Sequence, residues 1–109
     1  MKRTLLLVVA ASLAAGVTAV GATGDPQAGQ GKAQVCASCH GPDGNSLTAQ
    51  FPILAGQYAS YLIKALQDYA SGARENAIMA GFAKTLSAQD RHDLAAFYSA
   101  QHGLSVVRE

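Results

Sequence analysis

Tryptophan is absent from this 109-residue chain, and the residues that most often anchor chemistry are few: two cysteines, three histidines and two methionines. Lysine and arginine number 8 against 7 aspartate and glutamate, with no run of one sign and no interleaving of basic with aromatic residues. That balance argues against nucleic acid as a partner, which requires a clustered basic footprint. A structural zinc site needs four ligands. Beyond the two cysteines and the histidine that follows them only His92 and His102 remain, ten residues apart and without the short spacing of a zinc-binding histidine pair. No run of β-branched residues follows the cysteines, so the β-α-β setting of a thioredoxin-like redox pair is missing. The longest apolar run, Leu5 through Ala15 with Ser12 inside it, is short for a spanning helix of about 20 residues.

That run has another explanation. Lys2 and Arg3 precede it, and the small residues Val17-Thr18-Ala19 and Val20-Gly21-Ala22 follow it. A positive start, an apolar centre and a small-residue exit make a secretory signal peptide, with cleavage after Ala19 or Ala22; a retained membrane anchor is the competing reading. The expectation is export to the periplasm, with residues 1–22 removed, residues 23–109 forming one domain, and no membrane span in the mature protein. The remainder holds no internal repeat and no low-complexity tract.

What is present is concentrated in Cys36-Ala37-Ser38-Cys39-His40. C-x-x-C-H is the attachment signature of a covalently bound c-type haem. Thiols three positions apart lie on one side of a helical turn, where they can add to the two vinyl groups of one porphyrin edge. The histidine next in sequence is then held beneath the macrocycle with a ring nitrogen aimed at the iron. Zinc and a thiol/disulfide pair are the alternatives, and a disulfide closing so small a loop would contribute little. With Lys2 and Arg3 gone the 8 cations become 6, and two ionised propionates would bring the holoprotein to roughly −3. A domain this small buries a modest share of its unfolded surface, so the haem is expected to complete the core and the apoprotein to be largely unfolded.

Every element that the periodicity supports is helical. Asp25-Pro26 offers an N-cap and a proline at the first helical position, opening a short helix to about Gln34. Gly29 and Gly31 weaken that helix by about 1 kcal/mol each, a cost that close approach of a C-terminal helix would justify. Gly41 to Ser46 reads as a loop, and Phe51 to Gly56 as extended chain along a buried surface. Tyr58, Tyr61, Leu62, Ala65, Leu66 and Tyr69 form one stripe at helical spacing, with Gly72 as a left-handed stop. Arg74 to Lys84 reads as a second loop. Ser87 with Asp90 makes an approximate capping box, with Leu86 placed as a staple, for a helix that turns Leu94, Ala95, Phe97 and Tyr98 inward and ends near Gln101.

An iron held by His40 has one further axial position. Met1 leaves with the signal peptide, so Met79 is the remaining thioether, presented from the loop between the two C-terminal helices. The competitors are His92, which the helix turns toward solvent, and His102, which sits past the helix end. A methionine ligand favours the ferrous state and raises the potential, and it fills the sixth position. The chemistry implied is electron transfer without bond making.

These residues together resemble class I c-type cytochromes, above all the small bacterial carrier domains that also occur in two-haem proteins. The resemblance rests on Cys36 through Gly44, Phe51-Pro52-Ile53-Leu54-Ala55-Gly56-Gln57, Tyr61-Leu62, Ile78-Met79, and Leu86-Ser87 leading to Leu94-Ala95-Ala96-Phe97-Tyr98. It implies an all-α cytochrome c fold, three to five short helices wrapped around one haem c. Cys36 and Cys39 would form the thioethers, His40 would be the proximal ligand and Met79 the distal one. The Pro52 carbonyl would accept from the other nitrogen of the His40 ring, and Gly29 with Phe97 or Tyr98 would mark the crossing of the terminal helices. Close relatives often carry a proline near the methionine, where Ala77 and Thr85 stand here; the two-haem members repeat the pattern that this sequence shows once. The implied function is a periplasmic carrier of single electrons, not an enzyme. Its partners would be a membrane oxidase, a bc-type complex or a periplasmic dehydrogenase, with haem attachment machinery during maturation. A haem sensor or enzyme with a labile Met79, and a cytochrome subunit of a larger oxidoreductase complex, are the other readings of the same residues.

Overall fold

The computed structural model describes residues 23–104; residues 1–22, on which the signal-peptide reading falls, and 105–109 lie outside them. Five α-helices and no strand occur among the described residues: α1 Pro26–Lys32, α2 Gln34–His40, α3 Ala59–Ser71, α4 Ala77–Ala83 and α5 Ala88–Ser99. The all-α expectation holds. Asp25 caps α1 by accepting from the Gln27 N–H, with Pro26 opening the helix where its missing N–H costs nothing. Ser87 and Asp90 form a reciprocal capping box on α5, and Gly72 closes α3 in the left-handed conformation, φ 84°.

The terminal helices α1 and α5 cross at glycine. A Cβ placed on Gly29 would lie 2.0 Å from the Asp93 carbonyl oxygen and 2.8 Å from the Phe97 Cβ. Glycine here lets two backbones come into contact, which a side chain would prop apart. Gly24 makes the same approach to the His92 carbonyl, whereas Gly31 faces open space. The expectation that both Gly29 and Gly31 serve the crossing is therefore corrected: on a helix they lie two residues, and so about 200°, apart and cannot share a face.

Asp93 locks the crossing. It is almost fully buried, and its carboxylate accepts from the Asp25 N–H at 2.9 Å, from Gln89 Nε2 at 2.8 Å and from the Lys32 ammonium. Lys32 also pairs with Asp90 at 2.8 Å. These donors, the Asp25 amide first, hold the Asp93 carboxyl down to about 2. A charge this deep is stable only when paired and hydrogen-bonded, and both carboxylate oxygens of Asp93 are.

Two elements differ from the sequence reading. The first helix ends at Lys32 rather than near Gln34; Ala33 caps it, and the chain restarts as α2. The segment expected as a loop, Arg74 to Lys84, contains α4. Asn76 starts it by accepting from the Met79 N–H at 3.0 Å, and packing against α3 sustains it. Seven residues with Gly81 among them carry too little intrinsic propensity to form a helix without such a partner.

Between α2 and α3 the chain has no regular structure, yet it is pinned. Leu54 and Ala55 both donate to the Gly44 carbonyl, Gly56 donates to the Tyr98 carbonyl at 2.9 Å, and Leu104 donates to the Ala55 carbonyl at 2.7 Å. The expected extended run over Phe51 to Gly56 thus lies against the end of α5. The core of the polypeptide gathers Ala33, Leu62, Leu94, Ala95, Phe97 and Tyr98, with Leu54, Ile63, Leu66 and Leu86 packed around it.

Candidate functional site: a cleft between helices α2 and α4

Helix α2 carries Cys36, Cys39 and His40 in its last five residues. Their i, i+3 and i+4 relation turns all three toward one side. His40 is buried, and its Nδ1 lies 2.9 Å from the Pro52 carbonyl oxygen. A carbonyl can only accept, so Nδ1 carries the proton and Nε2 keeps its lone pair. The Phe51 ring stands edge-on to the imidazole, with centroids 6.3 Å apart. Gly41, at φ 81°, ends α2 directly after the histidine and reverses the chain toward Pro52.

Met79 comes from the other side. It lies in the first turn of α4, and α2 and α4 do not pack on one another among the described residues. What they share is a cleft. One lobe, of about 790 Å³ with its open mouth, is lined by Cys36, Cys39, His40, Pro52 and Met79 together, with Phe82 and Ile78 beside them. The adjoining lobe, of about 860 Å³, is also lined by Cys36, His40 and Met79, and continues over Leu62, Leu66 and Tyr98. The five residues singled out from the sequence therefore meet in one place, and His92 and His102 line neither lobe.

The stripe on α3 is the wall of this cleft. Tyr61, Leu62, Ala65, Leu66 and Tyr69 all line it. Arg74 joins them, its guanidinium 4.8 Å over the Tyr69 ring and 3.4 Å from the Tyr61 hydroxyl. No sequence pattern marked Arg74, because it follows the helix end rather than continuing the stripe. Burial pushes the Cys36 thiol up, and it raises the Tyr98 phenol well above its ordinary value, with the Cys36 thiol next to it adding to the rise.

The sequence matches the family model described as cytochrome c over residues 26–99. The chain belongs to the cytochrome c family. It is 46% identical to cytochrome c4 of Azotobacter vinelandii over 99 residues, 82% of this chain and 47% of that protein. It is 42% identical to cytochrome c-554(548) of Halomonas halodenitrificans over 72% of this chain and 98% of that one. Among solved structures, reduced recombinant cytochrome c4 from Pseudomonas stutzeri superposes with a TM-score of 0.71 at 46% identity, covering 75% of this chain and 48% of that chain. The chain thus spans about half the length of the cytochromes c4 it matches. The fold is that of cytochrome c, and cysteines at 36 and 39 in a member of this family fit one covalently bound haem c.

The donor set of the cleft fits that group. Two thiols and an imidazole stand on one helix, the imidazole has its second nitrogen engaged by a carbonyl, and the walls are apolar. An imidazole oriented by a hydrogen bond at its far nitrogen is how proteins fix and strengthen a histidine ligand.

Proposed function

We propose that this protein is a periplasmic carrier of single electrons rather than an enzyme, built on one haem c held between His40 and Met79. The observation that carries this reading is the convergence of those two side chains, from helices that do not touch, on one apolar cleft. In the proposed arrangement the Cys36 and Cys39 sulfurs add across the two vinyl groups, each thiol hydrogen going to the neighbouring carbon. His40 Nε2 and the Met79 thioether would hold the iron, and the Pro52 carbonyl would keep the imidazole in the tautomer it needs. Bound there, the haem supplies an iron that gains and loses one electron while both axial positions stay filled. The residues around it exclude water and keep the iron closed to small ligands.

Partner docking in this reading is apolar. Val35, Ile78 and Phe82 at the cleft are 61%, 64% and 45% exposed. Among the described residues four of the five lysines and arginines are engaged: Lys32 and Lys64 in ion pairs, Arg74 on Tyr69, Arg91 with the Leu86 carbonyl. Without a basic ring, electron exchange with a redox partner should change little with ionic strength; a steep fall in rate with added salt counts against this surface. The test of ligation is Met79→Ala in the exported holoprotein. The expected outcome is loss of the weak long-wavelength band of iron–thioether ligation in the oxidised spectrum, a lower reduction potential, and new binding of carbon monoxide by the ferrous form. Unchanged spectra and potential refute the proposal.

A further inference from the structure

Tyr98 is 4% exposed, and its hydroxyl is sealed from solvent without a hydrogen-bond partner. It is one of only two such side-chain atoms among the described residues; the other, Arg91 Nε, belongs to a guanidinium already bonded through its neighbouring nitrogen. The ring has no freedom to carry the hydroxyl elsewhere. The Gly44 backbone lies so close that a Cβ on Gly44 would meet the ring at 2.7 Å, the Phe97 ring packs at 5.0 Å, and the Tyr98 carbonyl is held by the Gly56 amide. The side chain borders the cleft together with Cys36, which packs against the same core cluster, and the Cys36 thiol is the polar group that its hydroxyl meets, without the geometry of a formed hydrogen bond. Burial keeps the phenol protonated, so it is a standing donor.

We infer that Tyr98 is a positioning residue whose hydroxyl donates to the Cys36 sulfur once that sulfur is a thioether, and that this bond raises the reduction potential of the bound haem. The inference rests on the carrier reading above. A free thiol brings its own hydrogen to the contact; addition to the vinyl group moves that hydrogen to carbon and leaves a sulfur with lone pairs only, a weak acceptor facing an unpaired donor. A buried hydroxyl left without a partner destabilises the fold, so a partner gained on haem attachment is stabilising. A donor on that sulfur would withdraw density from it, which would favour the ferrous iron of a haem attached there.

The test is Tyr98→Phe, which keeps the ring and removes the oxygen. Covalent haem is scored first in the unsubstituted protein by its pyridine haemochrome spectrum; no attached haem defeats the carrier reading and this inference together. With haem attached, the variant is expected to show a several-fold lower ferrous-to-ferric ratio at a fixed electrode poise and a lower melting temperature. In the unsubstituted protein, the phenolic C–O stretch in redox difference infrared spectra should sit at the position of a donor and shift between oxidation states. An unchanged potential overturns the inference whatever the stability does. So does a stretch characteristic of a free phenol, or a variant more stable than its parent, because each means that the hydroxyl stays unpaired.

Discussion

At the scale of single residues, the acid response of the fold rests on Asp93, a buried carboxylate of α5. Cys36, Cys39 and His40 announce themselves by spacing, and Met79 follows by elimination. Asp93 gave no such sign. In the run Arg91-His92-Asp93 it reads as part of a solvated helix face, and its partner Asp25 is 68 positions away. Its environment nonetheless sets a pH dependence. The folded carboxyl is held at about 2, below its ordinary 3.8, so the stabilisation is fully present above the ordinary value and is lost as pH falls through about 4 toward 2. Asp93→Asn keeps one acceptor but loses the ion pair with Lys32. Denaturant midpoints of the holoprotein should therefore show the variant less stable at neutral pH, with the gap closing as pH approaches 2. A gap that stays constant across that range removes Asp93 from the acid response.

At the scale of elements, legibility followed the strength of the local signal. The capping box of α5 and the thirteen-residue α3 were plain from caps and period alone. Helix α4 was not, because two turns containing Gly81 have no stripe long enough to register and depend on packing against α3. The missed helix matters for the site, since it gives Met79 a fixed backbone rather than a loop to reach from. Helix α1 offers a paired test of how far its glycines differ. Gly29→Ala drives a methyl into the Asp93 carbonyl and should destabilise by about 1–3 kcal/mol or more, the usual cost of overpacking. Gly31→Ala meets nothing within 4 Å and should stabilise by about 0.5–1 kcal/mol through helix propensity. Chemical denaturation of the two variants beside the parent decides it: two effects of the same sign would mean that the helix crossing is not where the backbone contact places it.

At the scale of the whole molecule the polypeptide packs thinly on itself. Among the described residues the buried apolar ones are Ala33, Ala55, Leu62, Ala83, Leu94, Ala95, Phe97 and Tyr98, half of them alanines. The larger side chains of α3, with Leu86 and Met79, border the cleft instead of closing over one another. A core of this composition buries little apolar side-chain area and so contributes little to stability. The terminal crossing, the Asp93 cluster and the pinned segment from Gly44 to Gly56 are local ties, each too small to set the positions of all five helices. The cleft is bordered by α2, α3, α4 and α5 at once, so a haem c held there would be the piece through which they cooperate. A variant with both Cys36 and Cys39 replaced by alanine, produced without haem, should accordingly show little helical circular dichroism and no cooperative thermal transition, while the holoprotein shows both. Native-like helicity with a sharp transition in that variant would mean that the α1–α5 crossing and the α3–α4 pair suffice by themselves, and that the haem is a passenger in a fold already made.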